Sequence, residues 1–362
     1  MSRRKKIIIV SLCLIFGLAL GAAGYSGYRA FYANTGPSSD LQIFTKKTPK
    51  PDLTANPLDG AEVEKNLASR HPLAVVVENY PGARPQTGLD KAAIIYEAIT
   101  EGGITRFLAI YGPREAEKVG PVRSMRTFFL DWAWEYNAFL AHVGGNIDAL
   151  DRIPLEGALD LDQFGLGEKA YWREPQAGKA IEHTMYTSTK TLYAAAKEKG
   201  YDMNADFTSL KFLKKVKESG SSQSIIIDFS SASYKVRYEY NPVDKTYLRN
   251  LNGFAHKDRA TGNQLAPTNI IIQSVERHYT PTRINEESWT FDTIGEGKAY
   301  VFYGGQKIEA TWKKQDLKAR TKFYDSSGDE IEFLPGQFWY EIVPPEVFEK
   351  VKIEETPNPS PS

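Results

Sequence analysis

Arg123 and Arg126 stand three residues apart just behind Pro121, a residue type suited to the first turn of a helix. The spacing predicts a helix from 121 to 137 with both guanidiniums on one face near its N-terminus. Free backbone N–H groups favour an anion there, and arginine offers a planar fork to phosphate or carboxylate. Arg106 opens a neighbouring apolar segment and is expected to join them in binding a ligand. The competing reading pairs these arginines with acids such as Asp131 or Glu135.

Glu101 precedes Gly102-Gly103, and a turn at the glycines would bring its carboxylate near Arg106. It is then either a plain salt bridge or a general acid whose pKa is raised by apolar neighbours. His142 ends an apolar run before Gly144-Gly145, and His183 sits just ahead of a helix start. Each could carry a proton, or be a buried histidine with ordinary hydrogen bonds. Asp160 and Asp162 add carboxylates, so the candidate catalytic set is Glu101, His142, Asp162 and His183. No HxH, HExxH or clustered cysteine accompanies them, so neither a metal site nor a cofactor is expected. The phosphate loop GxxxxGK[ST], the dinucleotide fingerprint GxGxxG and the nucleophile elbow GxSxG are all missing. A Ser-His-Asp set is recognised by geometry, and no spacing here selects one.

The elements that must hold these residues change character once along the chain. Residues 73–78, 93–99, 105–111 and 139–143 read as buried strands. Ser188 caps a helix ending at Gly200, and Thr208 caps a basic helix ending at Gly220. From 221 onward short strands follow one another: 225–229, 235–240, 269–274, 299–303, 308–312, 321–324, 331–334 and 339–343. Gly304-Gly305 and Ser327-Gly328 mark tight hairpins. The expectation is an α+β protein, with a mixed α/β domain over 71–220 followed by a mainly antiparallel β domain over 221–353. Tyr238, Tyr240, Tyr247, Trp289, Trp312, Trp339 and Tyr340 alternate along the later strands, as core packing or as a stacking surface.

Ahead of both domains, Arg3-Arg4-Lys5-Lys6 form a basic tip, residues 1–6, and residues 7–24 carry no charge. By the positive-inside rule this run is a single transmembrane helix or signal segment that leaves the rest of the chain outside the cytoplasm. Residues 25–70 read as a proline-spaced linker, and residues 354–362 as a disordered tail. Cys13, the sole cysteine, lies in the apolar run, which excludes disulfides and cysteine catalysis in the exported part. The 45 basic residues balance the 45 acidic ones, so no nucleic-acid partner is expected.

The run His71-Pro-Leu-Ala-Val-Val-Val-Glu-Asn79 with Ala83-Arg-Pro-Gln-Thr-Gly-Leu89 resembles the opening of the YerB-type family of Gram-positive envelope lipoproteins. So do the blocks 96–107, 120–126, 142–145, 182–188 and 335–339. The resemblance implies a membrane-attached, extracytoplasmic protein of two adjoining domains, and it brings no reaction. Leu12 before Cys13 departs from a lipid-attachment site. Two functions stay open. One is a noncatalytic envelope protein binding an anionic or carboxylate-bearing wall polymer, or another envelope protein, through Arg106, Arg123 and Arg126. The other is a wall-acting hydrolase or lyase, in which Glu101 or Asp162 works with His142 or His183.

Overall fold

A computed structural model describes residues 24–31, 52–214 and 223–355. It divides into two units, Met1–Pro51 and Asp52–Ser362. In the first, residues 24–31 are helical. No helix among the described residues is long and apolar enough to cross a membrane. All of the expected membrane segment, residues 7–24, except Gly24 lies outside them.

The second unit is built on four early strands, β1 (Leu73–Glu78), β2 (Ile94–Ile99), β3 (Thr105–Tyr111) and β4 (Phe139–Ala141). A smaller sheet holds β5 (Gln223–Asp228), β6 (Lys235–Asn241), β7 (Thr246–Leu251) and β8 (Phe254–Ala255). Then come β9 (Asn269–Ser274), β10 (Gly295–Tyr303), β11 (Gln306–Lys314), β12 (Lys322–Tyr324) and β13 (Phe338–Val343), and β14 (Lys352–Glu355) returns to the edge of the smaller sheet beside β5. The large sheet has nine strands in the order β12, β11, β10, β9, β13, β2, β3, β1, β4.

In the large sheet β13 runs parallel to both β9 and β2, and β1 runs parallel to β4. It is therefore a mixed sheet. Strands of both expected domains meet in it, and the expected boundary near 220 falls in a stretch outside the described residues.

The central strands are apolar on both sides because both faces are covered. Leu73, Val75 and Val77 pack with Ile225, Ile227 and Val236 of the smaller sheet. Ala74 and Val76, pointing the other way, pack with Phe128, Phe129 and Trp132 of helix α1 (Thr127–Trp134). Helix α2 (Ile147–Glu156) supports α1, and α3 (Thr189–Glu198) lies on the first face.

Several local signals hold. Ser188 and Thr191 form a reciprocal capping box on α3, and Gly200 follows with φ +77°. Gly304 and Gly305, at φ +57° and +74°, make the two-residue hairpin between Tyr303 and Gln306. Of the aromatic set, all but the half-buried Trp289 are core residues.

Four expectations need correction. Pro121 does not open a helix: residues 121–123 run extended, with Glu78 N donating to Pro121 O and Arg123 N to Val76 O, and α1 begins at Thr127 with Arg126 as its N-cap. Extension of the sheet offered these backbone groups partners that a helix would have supplied internally. Past Thr208 the chain forms a short strand, Lys211–Phe212, beside Glu332–Phe333, and residues 215–220 of the expected helix lie outside the described residues.

The linker is shorter than 25–70. Residues 52–70 pack on the fold, where buried Asp59 pairs with Arg114 and a strand pair joins Leu53–Ala55 to Glu62–Glu64. The tail likewise starts after Glu355, because Glu354 and Glu355 pair with β5. Residues 32–51 and 356–362 lie outside the described residues.

Candidate functional site

Glu78 closes β1, and its cross-strand partner in β3 is Arg106. Directly opposed residues share a sheet face, so both side chains leave on the α1 side at the sheet's end. Glu78 Oε1 accepts the backbone N–H groups of Asn79 and Tyr80, each at 3.0 Å. Arg123 Nε lies 2.5 Å from Glu78 Oε2 as an ion-pair contact without hydrogen-bond alignment. Burial by itself would raise the Glu78 carboxyl, but Arg106 and Arg123 outweigh it and hold it below its ordinary range.

Glu101 stands in the turn between β2 and β3, where Gly102 and Gly103 take φ of +61° and +70°. Two successive left-handed residues are readily supplied only by glycine. The turn presents the Glu101 carboxylate to Arg126, whose Nε and Nη2 grip both of its oxygens, the latter at 2.8 Å. This is the bidentate fork that makes arginine–carboxylate pairs strong. Burial would raise Glu101, yet Arg126 and Arg106 leave it lowered.

Arg106 sits between these two pairs and is 5% exposed. Its Nη1 donates to Ser124 O at 3.2 Å, and its Nε is buried without a hydrogen-bond partner. Burial, then the nearby Arg126, push its guanidinium down to about 10. Among the described residues three guanidiniums face two carboxylates in the cluster, and Arg106 is in no direct ion pair, while at the rim the Glu287 carboxylate accepts from Gly102 N at 3.1 Å. His183 borders the cluster: Nδ1 lies 3.8 Å from Glu78 Oε2 without a hydrogen bond, and the ring stacks on half-exposed Tyr80 at 5.1 Å.

Arg106, Arg123, Arg126, Glu101 and His183 thus come together. Their arrangement differs from the expected helix N-terminus, because the arginines come from a strand, an extended segment and an N-cap. Their partners are Glu78 and Glu101. Asp131 binds Arg152 instead, and Glu135 binds Arg320 and Lys314.

His142 lies apart from this cluster in its bonding. It is buried, with Nδ1 2.8 Å from Gly144 O and Nε2 3.0 Å from Asp160 Oδ1. Asp162 accepts from Gly144 N, while Asp160 accepts from Asp162 N. Asp160, whose carboxyl burial would raise, is held low chiefly by His142. The histidine and both aspartates therefore tie one loop to the end of β4.

A second polar centre occupies the opposite face, and sequence reasoning missed it. Glu97 of β2 and Glu341 of β13 are register partners, both fully buried, and Arg249 of β7 reaches between them from the smaller sheet. Arg249 Nε donates to Tyr238 Oη at 3.0 Å, and Tyr238 donates to Glu341 at 2.6 Å. Asn79 and Thr105 donate to Glu97 at 3.2 and 2.6 Å. Burial, then Glu97, raise the Glu341 carboxyl well above its ordinary value, so one proton is kept by the pair. A signal did exist: Glu97 and Glu341 each interrupt, and Glu78 ends, a strand of otherwise uncharged residues, where a buried charge demands a partner.

Comparison with known proteins agrees with this architecture. Residues 58–202 match the family described as "Protein of unknown function (DUF3048) N-terminal domain", and residues 225–340 match its C-terminal domain. The chain is 32% identical over 291 residues to "Putative lipoprotein YerB" of Bacillus subtilis (strain 168), covering 80% of this chain and 86% of the relative. The crystal structure of YerB protein from Bacillus subtilis superposes with a TM-score of 0.74, covering 83% of this chain and 99% of that one. With its mixed α/β, strand-rich fold, this chain belongs to the YerB family of two DUF3048 domains.

Proposed function

We propose that this protein is held at the cell membrane by residues 7–24 and binds an anionic cell-wall ligand at the arginine cluster, outside the cytoplasm. The three guanidiniums of Arg106, Arg123 and Arg126 against the two carboxylates of Glu78 and Glu101 carry the binding reading. An incoming phosphate or carboxylate would meet guanidiniums already held in place by Glu78 and Glu101, which lowers the ordering cost of binding. The basic residues 3–6 and the lipoprotein name of the Bacillus relative support the location.

The hydrolase or lyase reading asks Glu101 for a proton at neutral pH. Its carboxylate, gripped by Arg126 and held low, is poorly suited to that. The test is retention on purified wall material and release of soluble fragments, measured together. Arg126→Gln and Arg123→Gln are each expected to weaken retention about 10-fold, corresponding to ~1.4 kcal/mol of lost charge-assisted bonding. Equal retention by wild type and both variants would refute the reading, and fragment release that depends on Glu101 would replace it with the enzymatic one.

A further inference from the structure

Tyr80 stands at the rim of the arginine cluster and is 44% exposed, yet its ring is held in place. Tyr80 N donates to Glu78 Oε1, and Tyr80 O accepts from Ala83 N at 2.9 Å. The buried His183 ring backs one face at 5.1 Å, with the two planes 15° apart. Gly82 passes the edge of this stack so closely that a Cβ there would meet the Tyr80 ring at 3.4 Å. The face turned away from His183 is the one left to solvent.

This aromatic platform and the arginines share one support. Glu78 takes the Tyr80 backbone on Oε1 and faces Arg123 on Oε2, and His183 Nδ1 stands 3.8 Å from that same Oε2. Arg123 Nη1 in turn donates at 3.5 Å to the carbonyl of Glu182, the residue before His183. Arg123 is also more open to solvent than Arg126, with 27% of its side chain exposed against 13%. Ile181, in the same short turn as His183, adds an exposed apolar side chain.

Resting on the binding reading above, we infer that the ligand is a carboxylate-bearing glycan, with its acid group at Arg123 and a neighbouring sugar ring flat against Tyr80. A pyranose turns a face of C–H bonds toward the negative π face of an aromatic ring, and that contact demands no hydrogen-bond register. Because the His183 ring lies between the open face of Tyr80 and the Glu78 carboxylate, the ring that stacks is the neighbour of the sugar carrying the acid. Three guanidiniums already face two carboxylates, so a group of single charge suits the cluster better than a phosphate monoester carrying nearly two.

The experiment titrates the full chain in detergent with the disaccharide N-acetylglucosaminyl-N-acetylmuramic acid, with lactate as the acid alone and with di-N-acetylchitobiose as the sugars alone. Wild type is expected to bind the disaccharide at least about 10-fold more tightly than either part, as a stacked ring added to an anchored acid predicts. Tyr80→Ala should bring the disaccharide down to the affinity of lactate and leave lactate binding unchanged. Tyr80→Phe, which keeps the ring, should keep the gain. The backbone bond to Glu78 survives in both variants, and retained lactate binding shows that each is folded. If Tyr80→Ala keeps the gain, or wild type binds lactate and gains nothing from the sugars, the glycan inference falls while the arginine site stands. N-acetylglucosamine 6-phosphate binding more tightly than N-acetylmuramic acid would overturn the choice of a carboxylate. Arg123→Gln binding lactate as wild type does, or wild type binding no acidic probe, would instead overturn the arginine site itself, so the failures are distinct.

Discussion

Glu341 and Glu97 stand in register on parallel strands with Arg249 as their shared cation, and this charge count fixes how stability responds to pH. One carboxylate balances one guanidinium, so the second acid keeps its proton. Burial and Glu97 raise the Glu341 carboxyl well above 4.5 in the folded state. The unfolded chain gives up that proton near its ordinary value, while the folded chain retains it. The contribution is therefore full below about pH 4.5 and is lost progressively as pH rises above it. Glu341→Gln keeps the shape and removes the titration. Relative to wild type, its melting temperature is expected to climb as pH rises above about 4.5, and a difference that stays constant with pH would contradict the shared proton. Glu78 and Glu101 behave oppositely. Their lowered carboxyls stabilise the fold above the ordinary carboxylate range, and that stabilisation is lost as acid protonates them.

Helix α3 shows an element whose ends are written locally. Ser188 Oγ accepts from Thr191 N at 3.1 Å, and Ser188 N donates to Thr191 Oγ1 at 3.3 Å. Ser188→Ala removes one side of the box and should cost about 1 kcal/mol, read as a lower denaturant midpoint with an unchanged slope. Ser188→Asp, which retains a capping acceptor, should recover most of the loss. The segment after Pro121 shows the contrary case. Proline suits a first helical turn and an extended chain equally well, and the choice fell to hydrogen bonds exchanged with β1 and to the one that Val122 N donates to Met185 O. That choice moved Arg123 off the expected helix face and onto Glu78.

At the scale of the whole molecule, β13 is the strand that joins the two family domains. It lies between β9 and β2, parallel to both, so removing the C-terminal half would strip the partner from Ile94–Ile99. An uncovered apolar edge of that kind invites aggregation. Residues 52–214 expressed alone are expected to be insoluble or unfolded, and residues 52–355 to melt in one cooperative transition. Two separated calorimetric transitions, or a soluble 52–214 fragment with dispersed amide signals, would show that the halves fold independently.

By itself the sequence determined the identity of nearly every central strand, the cap of α3 and the Gly304-Gly305 hairpin, because apolar runs, caps and turns act over a few neighbouring residues. It also brought five of the six residues of the arginine cluster forward as candidates, and Glu78 was the one it missed. Tertiary structure alone decided that β2 and β13 lie side by side, that Glu78 and Glu101 rather than Asp131 and Glu135 receive the arginines, and that Glu97, Arg249 and Glu341 share one centre. The Arg249–Glu97 contact joins residues 152 positions apart. Its formation depends on which sheet face each side chain takes and which strand arrives beside it, and neither is encoded within a local window of sequence.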